Sequence, residues 1–309
     1  MTKVFIDGSA GTTGLRIAER LENRKDIELI RLTEENRKDL NARKEAINKA
    51  QIVFLCLPDQ AAIEAVSLCD NPDTVIIDTS TAHRTNSDWA YGFPELSVDF
   101  FNKIKTSKRI ANPGCHASGF IALIYPLVES GILKKDAMLS CVSLTGYSGG
   151  GKKMIAEYEA NNRELLLDAP RQYGLTQAHK HLTEMTAITG IKKMPAFMPI
   201  VGDFYSGMEV TIPLFPEMLN SANIEKIKSI YKLKYNGPIV NYVEDFAENG
   251  FLSANKLRDK DSMEVSVSGN DDRILLIARY DNLGKGASGA AVQCMNIVLG
   301  AEITTGLEF

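Results

Sequence analysis

The sequence predicts an α/β protein, with a doubly wound parallel sheet in its first part and a second α/β (α+β) domain after it. Three observations lead there. Short apolar runs alternate with amphipathic helical patterns early in the chain. A glycine-rich turn joins the first strand to the first helix. The chain's 309 residues exceed one typical domain.

The first strand is Lys3-Val4-Phe5-Ile6-Asp7. It runs into Gly8-Ser9-Ala10-Gly11-Thr12-Thr13-Gly14 and then a helix with Leu15, Ile17, Ala18 and Leu21 on its apolar face. Glycines let the backbone turn tightly against a ligand, and the helix start offers N–H donors to a diphosphate. The spacing is GxxGxxG rather than GxGxxG, so its context has to supply the rest. Further strands are expected at 27–32, 52–57 and 74–78, with helices at 41–49 and 60–68 between them. That alternation makes a Rossmann-type domain, which binds ligands beyond its strand C-termini, where Gly8, Leu57-Pro58 and Asp78-Thr79-Ser80 emerge. Glu34, past the second strand, suits an NAD ribose, whereas Arg37 and Lys38 suit the 2′-phosphate of NADP. NADP(H) is the expected cofactor.

Asn112-Pro113-Gly114-Cys115-His116-Ala117-Ser118 opens an apolar helical run. A thiol in that first turn faces unsatisfied N–H groups and the positive end of the helix dipole, which favours its thiolate. Cys115 is therefore the candidate nucleophile. His116 diverges from it by about 100° on a helix and is poorly aimed to take its proton. Of the four other cysteines, three read otherwise: Cys56, Cys141 and Cys294 sit in apolar segments as core residues. An odd, scattered set without CxxC spacing indicates neither a disulfide framework nor a zinc site.

Tyr173 to Glu184 gathers more polar chemistry, with His179 and His181 separated by one residue and Glu184 three further on. The spacing leaves open which histidine acts and offers no further metal-ligand cluster, so no metal is expected. His83 reads as a loop residue. The stretch 145–153 is glycine-rich and ends in Lys152-Lys153, able to bring N–H groups to a phosphate but lacking P-loop spacing. Asp281-Asn282-Leu283-Gly284-Lys285-Gly286-Ala287-Ser288-Gly289 closes the strand 273–280 and starts the last helix, its small residues permitting close packing on backbone or cofactor.

A net charge of -4 gives no basic surface for nucleic acid. The stretch with Lys103, Lys105, Lys108 and Arg109 is short and interrupted, a solvated face. No apolar run is long enough to span a bilayer. Met1-Thr2-Lys3 enters a strand directly without a signal-peptide pattern, and a reducing cytoplasm is the expected setting.

Together the glycine turn 8–14, Asn112-Pro113-Gly114-Cys115, the His179/His181/Glu184 segment and the 282–289 motif resemble the N-acetyl-γ-glutamyl-phosphate reductase family in its shorter form. The motifs fall in family order and span nearly the whole chain. The resemblance implies an NADP-binding domain at 1–114, a catalytic and oligomerisation domain at 115–284, and a final helical segment, 285–309, returning to the cofactor domain. It implies an NADPH-dependent step of arginine biosynthesis on a small acyl phosphate, in a homo-oligomer, tetramer or dimer. Cys115 is then the nucleophile and His179 the general acid/base. Arg84, Tyr173, His181 and Glu184 match substrate-site positions, and Asn282 is expected at the cofactor. Thr81 departs from the family wording ahead of Arg84. Aspartate-semialdehyde dehydrogenase shares the acyl-phosphate chemistry and architecture; a cofactor-binding regulator without catalysis is the alternative from another class.

Overall fold

The computed structural model describes residues 1–309. The chain divides into two compact units, Met1–Gly114 with Ala287–Leu307, and Cys115–Gly286 with Glu308–Phe309. Lys285, Gly286 and the last two residues thus group with the second unit, a boundary slightly different from the one expected at 284/285.

The first unit contains β1 (Thr2–Asp7), α1 (Thr12–Glu22), β2 (Ile27–Ile30), α2 (Leu40–Lys49), β3 (Ile52–Leu55), α3 (Asp59–Ser67), β4 (Val75–Asp78), β5 (Ala90–Tyr91), α4 (Val98–Thr106) and β6 (Arg109–Ala111). Its strands form one parallel sheet in the order β2-β1-β3-β4-β6-β5. β3 and β4 are buried along their whole length, as strands covered on both faces must be. Val4, Ile6, Ile52, Phe54 and Ile77 pack on one face with Ile17 and Leu21 of α1 and Ile104 of α4. Phe5, Val53, Leu55 and Ile76 meet Ala46 and Ile47 of α2 and Ala62 and Ala65 of α3 on the other. β5 is too short to show a period and has no expected counterpart.

The final helix is numbered after the second unit's elements but packs in the first. In that second unit the chain forms α5 (Cys115–Glu129), β7 (Ser140–Gly146), α6 (Gly151–Tyr158), β8 (Arg171–Gln172), α7 (His181–Thr189), β9 (Ala196–Gly202), β10 (Met208–Leu214), α8 (Ile224–Lys234), β11 (Val240–Tyr242), β12 (Met263–Asn270) and β13 (Arg273–Tyr280). The last helix is α9 (Gly289–Leu299). Its Ala291, Val292, Cys294, Met295 and Ile297 join the core against β1, β3 and β4. The buried Arg24 guanidinium ties this return down, donating to Asn296 Oδ1 at 2.8 Å and to the Thr305 carbonyl at 3.1 Å.

The second sheet is mixed, in the order β11-β12-β13-β10-β7-β9-β8. Alternate residues of its central strands, such as Ser143, Val210, Ala278 and Val265, stand in register on one buried face. Helix α5, apolar nearly all round, lies against β10 and β13 on that face, with α7 and α8 beside it. No helix in the chain is long and apolar enough to cross a membrane.

Candidate active site

Where β1 ends, the order of the first sheet reverses between β1 and β3, and ligands bind beyond the strand ends at such a point. A cavity of about 610 Å³ opens there, lined by Gly8, Ser9, Ala10 and Gly11, by Cys56 and Leu57, and by Arg31, Glu34, Arg37, Lys38 and Arg43. Gly8 has φ +89°, and a Cβ on it would stand 2.2 Å from the Cys56 carbonyl oxygen. A Cβ on Gly14 would lie 2.5 Å from the Gly8 carbonyl oxygen, so only glycine lets α1 start this close to the turn. Thr12 and Thr13 begin α1 itself and do not line the cavity. The bare backbone, a helix start and four cationic side chains suit a dinucleotide diphosphate. Arg37 is ion-paired with Glu34 at the rim. Arg31 and Arg43 are additions the sequence reading missed. Arg43 donates to Asp7 at 3.0 Å from beneath the turn. Burial raises the Asp7 carboxyl pKa, opposed by Arg43.

Cys115 is the first residue of α5, half-buried. The residues just before it are fixed within the first unit. Asn112 donates its N–H to the Asp78 carbonyl at 2.8 Å and its side-chain amide to the Ala287 carbonyl at 3.0 Å. Arg84, expected on the substrate, is 8% exposed and holds backbone. Its Nε donates to the Asn112 carbonyl and one terminal nitrogen to the Thr79 carbonyl, both at 2.9 Å. His83 lies in a turn, its ring stacked on Trp89 and its Nδ1 bonded to Asp78 at 2.6 Å.

His116 is buried with both ring nitrogens engaged, Nδ1 to Ser143 Oγ at 2.6 Å and Nε2 to the Tyr173 hydroxyl at 2.7 Å. Burial, with a contribution from His179, holds its pKa down to about 3. It is a neutral fixture rather than a base for the thiol. Around it the rings of Tyr173, His179, His181 and Phe197 lie with centroids 5.3 to 6.1 Å away. The structure therefore gathers Cys115's neighbour and the whole expected 173–181 set at one place in the second unit.

His179 is half-buried, and its Nδ1 accepts the His181 N–H at 3.2 Å. In the neutral ring the proton then sits on Nε2. Burial, then the neighbouring Lys180 charge, lowers its pKa below the ordinary histidine value. His181 and Glu184 share the first turn of α7, both buried. No group of three His, Cys, Asp or Glu side chains stands in metal-holding geometry.

Asn282 is 2% exposed, and its amide is used inside the second unit. Its Oδ1 accepts the Gly207 N–H at 2.9 Å and its Nδ2 donates to Ser148 Oγ at 3.0 Å, so it braces the loops that carry them. In the glycine-rich stretch 145–153 the leading N–H groups are engaged within the second unit. Gly146, Tyr147 and Ser148 donate their N–H groups to the carbonyls of Gly207, Phe204 and Tyr205. Tyr280, Ser143 and Phe197 are site residues the sequence reading missed. They lie on strands distant in the chain, and only the sheet register brings them together.

Comparison with known proteins identifies the family and the fold. The chain matches the family model for the semialdehyde dehydrogenase NAD binding domain over residues 3–104, and that for the semialdehyde dehydrogenase dimerisation domain over residues 115–282. It is 42% identical to N-acetyl-gamma-glutamyl-phosphate reductase 2 of Nostoc sp., over 99% of each chain. The chain belongs to the N-acetyl-gamma-glutamyl-phosphate reductase family. The Brucella ovis member is 44% identical over 96% of this chain and 99% of its own. The resemblance read from the motifs is thereby borne out, as is the α/β architecture. Among solved structures, aspartate semialdehyde dehydrogenase II of Vibrio cholerae shares the fold at TM-score 0.72 and 16% identity, covering 97% of this chain and 98% of its own. Aspartate semialdehyde dehydrogenase of Candida albicans, solved with NADP, does so at 0.66 and 16%, covering 97% and 99%.

Proposed function

We propose that this family member reduces N-acetyl-L-glutamyl 5-phosphate with NADPH to N-acetyl-L-glutamate 5-semialdehyde and phosphate, through a thioester on Cys115, in arginine biosynthesis. The observation that carries the reading is a cysteine at the first turn of α5 beside the His116, Tyr173, His179 and His181 cluster. It occurs in a chain 42% identical to a named reductase of this kind.

The Cys115 thiolate attacks the acyl carbon, an S–C bond forms, and the C–O bond to phosphate breaks to release the phosphate. N–H groups at the start of α5 stabilise the oxyanion of each tetrahedral stage. The cofactor, when bound, supplies a hydride to the thioester carbon. His179 moves the proton at Nε2 as the S–C bond cleaves to free the aldehyde. His181 and Glu184 orient the substrate with Tyr173. Arg84 acts through the Asn112 backbone it holds. Gly8, Ser9, Ala10 and Gly11 cradle the diphosphate at the start of α1, which Thr12, Thr13 and Gly14 form, and Arg37 and Lys38 take the 2′-phosphate.

The outer face of the second sheet carries half-exposed Val142, Leu144, Met198 and Ile200, which supports a homo-oligomer that covers it. Five free thiols suit a reducing cytoplasm.

The test is phosphate-dependent reduction of NADP with each semialdehyde. Turnover with N-acetylglutamate semialdehyde, abolished in Cys115→Ala with the fold retained, supports the reading. Turnover with aspartate semialdehyde alone makes the chain an aspartate-semialdehyde dehydrogenase, and full activity in Cys115→Ala rejects the thioester route.

A further inference from the structure

We infer that Tyr280 is the positioning residue of the nucleophile, its hydroxyl fixing the turn of α5 that presents Cys115. The inference rests on Cys115 being the nucleophile. Tyr280 ends β13 and is fully buried on the sheet face that α5 covers. Its hydroxyl donates to the Cys115 carbonyl at 2.6 Å and accepts the Gly119 N–H at 3.0 Å. Those two groups stand four residues apart in the first turn of the helix, as the partners of an i to i+4 rung. A side chain inserted at a rung sets the local geometry of the turn.

The neighbours leave the junction no slack. A Cβ on Gly119 would lie 2.7 Å from the Tyr280 hydroxyl and 2.7 Å from Val210 Cγ2. A Cβ on Gly286 would lie 3.2 Å from Cys115 Cβ and 3.4 Å from Tyr280 Cε2. Gly286 itself donates to the Asp281 carbonyl at 3.0 Å, within the π-helical turn Gly284–Ser288 that follows β13. Strand, π-turn and helix start therefore close around one cysteine backbone. A cysteine side chain has a single rotatable bond to its sulfur, so placing that backbone largely places the thiol.

The molecule contains its own comparison. Tyr235 donates its hydroxyl to the Ala122 carbonyl of the same helix at 2.6 Å, two turns from the thiol. A tyrosine that merely ties α5 down behaves like Tyr235; one that aims the nucleophile does not.

Tyr280→Phe and Tyr235→Phe are compared with the unaltered enzyme. The readouts are thermal midpoint, kcat and KM, and the pH dependence of Cys115 alkylation by iodoacetamide, read at that cysteine by peptide mass spectrometry. Tyr280→Phe is expected to lower kcat roughly tenfold or more with KM within about twofold. Its alkylation profile should move to higher pH as the sulfur leaves the N–H array. Tyr235→Phe is expected to lower only the midpoint. Matching kcat and alkylation profiles for the two variants overturn the proposal. Alkylation needs no substrate, so a failed reductase assignment leaves this comparison readable.

Discussion

The Tyr173 hydroxyl and the His116 imidazole meet at 2.7 Å, joining the segment that carries His179 to the helix that carries Cys115. Ser143 holds the other ring nitrogen at 2.6 Å, so the imidazole spans β7 and the 173–179 loop. His116 thus contributes a fixed dipole and a tether rather than a titrating base.

Tyr173→Phe removes the tether and leaves a buried ring nitrogen without its partner, at a cost of about 1–3 kcal/mol. The thermal midpoint should fall. Turnover should fall further than this stability loss explains, because His179 loses its anchoring neighbour. Steady-state kinetics well below the midpoint separate the two effects; unchanged kcat there means the tether is structural alone.

Burial keeps His116 neutral, with a folded pKa of about 3 against an ordinary value of 6.5. The sign follows from linkage. Above the unfolded value neither state binds the proton. Between the two values the unfolded chain binds it and the folded chain does not, so stability falls as pH drops through that window. This one site should shift the folding equilibrium by roughly tenfold per pH unit. Urea unfolding at successive pH values should show the wild type losing stability faster than His116→Gln between about pH 6 and pH 4. Parallel curves contradict it.

Lys180→Gln tests the electrostatics of His179. Burial and then the Lys180 charge lower the pKa of that imidazole, so removing the charge raises it. If neutral His179 is the working form, the acid limb of the kcat profile moves to higher pH. A limb that stays in place separates that limb from His179.

Arg37→Ala addresses the cofactor. The guanidinium lines the cavity beside the glycine turn, paired with Glu34. Without it KM for NADPH should rise about tenfold or more while that for NADH barely changes, since only NADPH carries the extra phosphate. Equal changes for both cofactors indicate that Arg37 shapes the loop instead.

The pattern of β1, the glycine turn and α1 is readable because each element depends on neighbours a few residues away. Apolar alternation, a positive φ at Gly8 and the helix start at Cys115 are local demands that the chain itself satisfies. The return of α9 to the first sheet and the meeting of His116 with residues 173–181 rest in the sequence reading on family resemblance, not on spacing. Arg84 and Asn282 show the limit of motif reading. The resemblance implies ligand roles for them, and only the fold shows that Arg84 also donates to the carbonyls of Asn112 and Thr79 and that Asn282 bonds Gly207 and Ser148. Tyr280 shows it most plainly: its hydroxyl reaches a carbonyl 165 positions earlier in the chain. Sheet register and helix packing create that contact, and these long-range terms leave no periodic trace in the residues that make it.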